Sequence, residues 1–318
     1  TAVYVAGFAD DALSWYSRQS DGSLVFGGVL KDGGQDANGN TVDGLDGAAS
    51  VTTSPDGTAV YVAGGDDKAL SWYSRQSDGS LVFGGVLKDG GQDANGNTVD
   101  GLNGAFSVTT SPDGTAVYVA GYHDKALSWY SRQSDGSLVF GGVLKDGGQD
   151  ANGNTVDGLD GAVSVTTSPD GTAVYVAGFS DDALSWYSRQ SDGSLVFGGV
   201  LKDGGQDANG NTVDGLDGAA SVTTSPDGTA VYVAGGIDDA LSWFAIPSCA
   251  PCPRGYSCPQ DGSDTMLICK KGTVQDFPRQ TSCTTCDRGS YQDARGQFFC
   301  KACARGRVGL ERWEISCI

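Results

Sequence analysis

The sequence predicts an all-β protein: a β-propeller-type array of four-stranded antiparallel blades, incomplete as given, followed by a small disulfide-rich domain. Three observations carry this expectation. The segment Thr1-Ala2-Val3-Tyr4-Val5-Ala6-Gly7 returns almost unaltered at Thr58, Thr115, Thr172 and Thr229, a 57-residue period. A fixed period of that size marks one supersecondary unit stacked on copies of itself. Within each unit, four short runs rich in valine, aromatic residues and threonine are separated by turn residues, the pattern of a four-stranded meander. All nine cysteines lie between Cys249 and Cys317, where the long period stops and a 17-residue one begins. The expected domains are 1–246, with a partial blade, three full blades and a partial blade, and 247–318.

In the first unit, Ala2–Ala6 is apolar and β-prone, and Val3-Tyr4-Val5 has no polar face, as befits a strand covered on both sides. Ala12–Ser17 follows the Asp10-Asp11 turn, Leu24–Leu30 follows Ser20-Asp21-Gly22-Ser23, and Ala48–Ser54 leads into Ser54-Pro55-Asp56-Gly57. Such turns draw on the positive φ of glycine and the local bonding of aspartate and serine. The recurring Trp15, Trp72, Trp129, Trp186 and Trp243 are expected to pack between blades, the usual work of large aromatic side chains.

The run Ser54-Pro55-Asp56-Gly57-Thr58-Ala59-Val60-Tyr61-Val62-Ala63-Gly64, with Ala69-Leu70-Ser71-Trp72-Tyr73-Ser74-Arg75 after it, resembles the repeats of the lactonase-like β-propeller family. The resemblance covers residues 1 to about 246. It implies blades lettered a (Ala48–Ser54, innermost), b (Thr58–Ala63), c and d. The chain then supplies b, c and d of one blade, three whole blades, and a, b and c of a fifth, eighteen strands that do not close a ring. Thr1 opens in mid-repeat, so a longer protein or a neighbouring chain is expected to supply the rest. The resemblance also implies a lactonase-type hydrolase as an alternative function, although fold analogy does not itself carry activity.

The array holds 32 aspartates against 10 lysines and arginines, net −22, while the cysteine-rich segment is net +3. Such an array repels a phosphate backbone, which excludes nucleic acid and anionic membrane as partners. No apolar run reaches the roughly 20 residues that cross a bilayer. In an a-b-c-d meander the b–c turn and the long d-to-a loop leave at the same end, and the copies differ mostly there. The tips read Phe8-Ala9-Asp10-Asp11, Gly65-Asp66-Asp67-Lys68, Tyr122-His123-Asp124-Lys125, Phe179-Ser180-Asp181-Asp182 and Gly236-Ile237-Asp238-Asp239, and Phe106 replaces Ala49 in the third blade. Drift at exposed tips accounts for this variation; a recognition role is the competing reading.

The long loop offers oxygen ligands at calcium-like spacing in Asp36, Asn38, Asn40 and Asp43, repeated as Asp93, Asn95, Asn97 and Asp100, as Asp150, Asn152, Asn154 and Asp157, and as Asp207, Asn209, Asn211 and Asp214. Alternate oxygens suit a hard cation, which makes calcium the one cofactor the pattern offers. Thr41 and Gly47 stand where an EF-hand loop needs Gly and Glu. A loop of Asx-turns satisfying its own backbone fits the same residues. No catalytic residue is assigned. The array has a single histidine, His123, no glutamate, and identical copies of Arg18 and Lys31, whereas a hydrolase needs a base or metal-bound water among convergent, different groups.

In the C-terminal segment Cys269, Cys286 and Cys303 are 17 residues apart, as are Cys283, Cys300 and Cys317. The simplest pairing joins Cys269 to Cys283, Cys286 to Cys300 and Cys303 to Cys317, with staggered pairing open. A zinc site at Cys283, Cys286, Cys300 and Cys303 is the rival reading, weakened because Cys269 and Cys317 extend the register beyond four ligands. Cys249-Ala250-Pro251-Cys252-Pro253-Arg254-Gly255-Tyr256-Ser257-Cys258-Pro259 and the units after it resemble the ephrin-receptor-like cysteine-rich repeats of eukaryotic surface proteins. That resemblance implies an extracellular setting, and with an odd number of cysteines Cys249 is the candidate for the unpaired one. The expectation is a non-catalytic extracellular structural or recognition protein, an acidic propeller scaffold on a cysteine-rich stalk, one version of it a subunit that stacks on its own kind into a surface fibre or coat. Its partners would be other copies of itself or an extracellular protein or glycan; a calcium-dependent binding module and the lactonase are the alternatives.

Overall fold

The computed structural model describes residues 2–246, 256–257, 267–271, 273–274, 283–287, 290–295, 297 and 299–303. The chain divides into two compact units, Thr1–Ala245 and Ile246–Ile318. In the first, eighteen strands form five antiparallel meanders of three, four, four, four and three strands. Blade 1 is β1 (Ala2–Gly7), β2 (Ala12–Arg18) and β3 (Leu24–Lys31); blade 2 is β4 (Ala48–Thr53), β5 (Ala59–Gly64), β6 (Ala69–Arg75) and β7 (Leu81–Lys88). Blade 3 runs β8 (Ala105–Thr110), β9 (Ala116–Gly121), β10 (Ala126–Arg132) and β11 (Leu138–Lys145), and blade 4 β12 (Ala162–Thr167), β13 (Ala173–Gly178), β14 (Ala183–Arg189) and β15 (Leu195–Lys202). Blade 5 ends after β16 (Ala219–Thr224), β17 (Ala230–Gly235) and β18 (Ala240–Ala245).

Burial follows from period-2 alternation on strands covered on both faces. All six residues of β5 and of β9 are buried. Between blades 2 and 3, Ala59, Tyr61, Ala63 and Leu70 meet Val117, Val119, Tyr130 and Leu138, with Trp72 and Phe140 at the margin. Thus residues 59, 61 and 63 of one strand face the following blade, while Val60 and Val62 face the preceding one, against Leu13, Leu30 and Tyr4. Trp15, Trp72 and Trp129 do pack at these joints, whereas Trp243 is 69% exposed. In the first four blades the indole also lies over its own sheet: a β-bulge shifts the register between Trp72 and Tyr73, for example, and a Cβ placed on Gly84 would come within 2.6 Å of the Trp72 ring.

A polar clamp fastens the joint at the other end of the strands. Arg132 donates through Nε to the Tyr61 hydroxyl (2.8 Å) and through Nη2 to Asp56 (2.9 Å) and Thr58 (2.8 Å), and the Tyr61 hydroxyl donates to the carbonyl of Gly136 (3.0 Å). Arg189 repeats this on Tyr118, Asp113 and Thr115. The Ser-Pro-Asp-Gly turn prepares the carboxylate, because Ser54 Oγ donates to Asp56 (2.6 Å) while accepting from the amide of Ala59 (2.9 Å).

In the second unit, three two-stranded ribbons pair β19 (Tyr256–Ser257) with β20 (Leu267–Ile268), β21 (Thr273–Val274) with β22 (Thr284–Thr285), and β23 (Ser290–Tyr291) with β24 (Lys301–Ala302). Disulfides join Cys269 to Cys283 and Cys286 to Cys300. These bonds consume three of the four cysteines of the zinc alternative. Cys317 and the candidate unpaired Cys249 lie outside the described residues.

Candidate functional site

The loop face gathers what chemistry the repeats possess. Each long loop doubles back on itself, with Gly33 donating to Val42 and Val42 to Gly34, which leaves Asp36 to Gly39 as its tip. Asp36 is buried, and its carboxylate accepts four hydrogen bonds of 2.9 Å: from the amides of Asn38 and Asn40, from Asn40 Nδ2, and from the amide of Phe83 on β7 of the next blade. Burial pushes this carboxyl up, but the bonds from Asn40, Phe83 and Asn38 outweigh it and hold it below the usual carboxylate range. The group is an Asx-turn that also ties the loop to the outer strand of its neighbour. Asp93 and Asp150 do the same to Phe140 and Phe197. Asn38, Asn95, Asn152 and Asn209 have exposed side chains, and Asn40, Asn97, Asn154 and Asn211 each turn their amide nitrogen to the aspartate.

Asp43, the fourth residue of that pattern, sits elsewhere. It joins Asp32 and Asp67, with carboxylate oxygens within 4.8 Å of one another, and the grouping recurs as Asp89, Asp100 and Asp124, as Asp146, Asp157 and Asp181, and as Asp203, Asp214 and Asp238. The chain supplies its own cation to the first three. Lys88 Nζ lies 2.8 Å from both Asp43 and Asp67, Lys145 lies 2.8 Å from Asp100 and 3.9 Å from Asp124, and Lys202 lies 2.8 Å from Asp157 and 2.9 Å from Asp181. Among the described residues no lysine pairs with the fourth group. Backbone amides take up further oxygens: Gly44 and Asp46 donate to Asp67, and Leu45 donates to Asp32. Desolvation, helped by the neighbouring carboxylates Asp67 and Asp43, raises Asp32. Asp67 is desolvated too, yet the bonds from Lys88 and the backbone leave it lowered.

The aspartates of this cluster that the loop pattern does not name, Asp32 and Asp67, carry a signal in the sequence. Amid tips that otherwise vary, the third residue is aspartate in every copy, as Asp10, Asp67, Asp124, Asp181 and Asp238.

The variable positions converge as well. Phe8 stacks on Phe106 at 6.4 Å between ring centroids, Phe106 meets Tyr122 at 5.6 Å, and Tyr122 meets His123 edge-on at 5.1 Å. Phe8 and Phe106 are 49% and 36% exposed. The result is an aromatic patch drawn from blades 1 and 3, with no counterpart elsewhere in the repeats. Among the described residues the His123 ring makes no side-chain hydrogen bond, so it has neither an orienting carboxylate nor a nucleophile to activate, the arrangement general-base catalysis asks for.

Comparison with known proteins agrees with the architecture. Residues 272–311 match the family model described as tyrosine-protein kinase ephrin type A/B receptor-like. No curated protein matches the chain. Among solved structures the chain is similar to a protein from Lactobacillus plantarum (18% identity over 88% of this chain and 69% of that one, TM-score 0.58). It is also similar to the periplasmic gluconolactonase of Pseudomonas aeruginosa (18% identity over 89% of this chain and 68% of that one, TM-score 0.55).

Proposed function

We propose that this chain is a non-catalytic extracellular scaffold, in which an acidic propeller array on a disulfide-stiffened segment serves structure and recognition. One observation carries the reading: in three of the four repeated loops the carboxylates are spent internally, on turn amides, on the neighbouring blade and on lysines of the chain itself. A carboxylate that already accepts such bonds offers little to a substrate or a hydrolytic water. His123, the single histidine of the sequence, stands among aromatic rings. Similarity to a gluconolactonase at 18% identity speaks for the fold. The disulfides, and the likeness to a receptor-type cysteine-rich family, support an oxidising compartment outside the cytosol. Other copies of the chain, or an extracellular protein or glycan meeting the patch of Phe8, Phe106 and Tyr122, are the partners this reading admits.

The test is enzymatic and thermal together. Incubation with gluconolactone is expected to give no turnover above the spontaneous rate, and the melting temperature is expected to be the same in calcium and in chelator. Turnover that disappears in His123→Ala would overturn the reading in favour of a hydrolase. A melting temperature raised by calcium and lowered again in Asp214→Asn would overturn it in favour of a calcium-dependent module.

A further inference from the structure

Five asparagines of the sequence precede a glycine: Asn38, Asn95, Asn152 and Asn209 in the tips of the long loops, and Asn103, which stands where the other copies have Asp46, Asp160 and Asp217. An asparagine followed by glycine can lose its amide to its own backbone, because no Cβ on the glycine shields the attacking nitrogen. At the loop tips the fold restrains this step. Gly39, Gly96, Gly153 and Gly210 each donate their amide, at 3.0 Å, to the carbonyl of the aspartate that opens the turn, Asp36, Asp93, Asp150 and Asp207 in order.

The step from Asn103 to Gly104, between blades 2 and 3, differs at each participating group. The Gly104 amide makes no hydrogen bond among the described residues. Its counterparts Gly47 and Gly218 donate to Asp11 (3.1 Å) and Asp182 (2.9 Å), but the residue at the accepting position for Gly104 is Lys68. The carbonyl of the same peptide, on Asn103, accepts from the amides of His123 (3.1 Å) and Asp124 (3.3 Å). Those donors stabilise the negative charge that reaches the oxygen when the Gly104 nitrogen gives up its proton. The Asn103 side chain is half-buried and makes no hydrogen bond among the described residues, so it has none to break.

We infer that Asn103 is a site of spontaneous deamidation, and that the carboxylate formed there pairs with Lys68. The Gly104 nitrogen, its proton passed to solvent, attacks Cγ of Asn103. The new C–N bond closes a succinimide as the Cγ–Nδ2 bond breaks, and the leaving nitrogen takes a proton from water and departs as ammonia. Water then adds to a ring carbonyl and opens the ring, releasing a proton and a carboxylate, with no oxidation at any stage. Opening on the Cγ side gives ordinary aspartate, and opening on the other side gives isoaspartate. Blade 4 shows what the aspartate meets: Lys125, one repeat after Lys68, lies 2.6 Å from Asp160, one repeat after Asn103. Lys68 is exposed and makes no ion pair among the described residues. The aspartate product thus returns the odd copy to the repeat and adds an ion pair between blades 2 and 3. Neither half of the inference depends on whether the array is catalytic.

Peptide mapping by mass spectrometry of the full chain, kept folded at neutral pH and sampled over weeks, reads the rate at each asparagine. Asn103 is expected to lose its amide about fivefold or more faster than Asn38, Asn95, Asn152 or Asn209, the factor that one net hydrogen bond represents. In denaturant, with those bonds gone, the rates are expected to converge. A folded chain in which any loop asparagine reacts as fast as Asn103, or a lead of Asn103 that persists undiminished in denaturant, would overturn the site. Asn103→Asp tests the pairing by itself. At low salt it is expected to raise the melting temperature where Lys68 is present. In Lys68→Met it is expected to lower it, because the new carboxylate then faces Asp124 and Asp89 alone, as Asp46 faces Asp67 and Asp32. A shift that does not depend on Lys68 would overturn the pairing.

Discussion

At the scale of single residues, the repeat is specified by partnerships that tolerate one side chain only. The glycine pair of each outer strand is an example. Gly84 is the extra residue of the bulge opposite Trp72, and the indole lies where a Cβ would be. Gly84→Ala therefore has to push either the ring or the strand aside, an overpacking cost of about 1–3 kcal/mol. Urea denaturation is expected to show the midpoint lowered accordingly. A neutral result would mean that the indole can swing clear. Arg132 is as constrained, since its guanidinium is divided among a hydroxyl, a carboxylate, a threonine and a carbonyl, and lysine cannot reproduce that fork.

At the scale of elements, the d-to-a loop belongs to the core as much as the strands do. Val99 and Leu102 are buried in the joint between blades 2 and 3, and Asp93 fastens the same loop to Phe140. Leu102→Ala empties a site with no exposure at all and should cost about 2–5 kcal/mol, measured as the fall in unfolding free energy. An exposed, passive loop would lose less than 1 kcal/mol in the same experiment, a difference large enough to decide the matter. Strands were legible in the sequence because their alternation and turn residues recur with each copy; Leu24 to Leu30 needed only one residue added to reach Lys31. The loop was legible in its turn chemistry and less so in its partners. Asp36 and Asn40 do meet, but spacing along the chain could not place Asp43 beside Asp67, because that contact is made by stacking the loop over the tip of the next blade. Nor could periodicity place Phe8 of blade 1 against Phe106 of blade 3, which depends on how the stack curves.

At the scale of the whole molecule, two populations of aspartate titrate in opposite senses. Asp32, Asp89 and Asp146 are raised, by desolvation first and by neighbouring carboxylates after it. Such groups take up protons in the folded state before the unfolded chain does, so acidification from neutrality stabilises the fold until the unfolded value of about 3.9 is passed. Asp36, Asp93 and Asp150 are lowered because hydrogen bonds outweigh their desolvation. Their stabilisation is present above the unfolded value and is lost as the pH falls below it. Calorimetry should therefore find the melting temperature rising from pH 7 into the mildly acidic range and dropping steeply below about pH 4. A decline that begins at neutrality would contradict the raised group. The net charge of −22 over the array works in the same direction as that group, since protonation relieves self-repulsion.

The joint between blades 2 and 3 is built from the same side chains as the joint between blades 3 and 4, and this sameness has a genetic consequence. Excision of residues 58–114 would bring Gly57 to Thr115, and the surfaces so rejoined would be ones that already know each other. Duplication of that stretch would be as harmless. Unequal crossing-over can thus lengthen or shorten the protein in whole blades without inventing a single new contact, and natural variants of this chain are expected to differ by multiples of one unit.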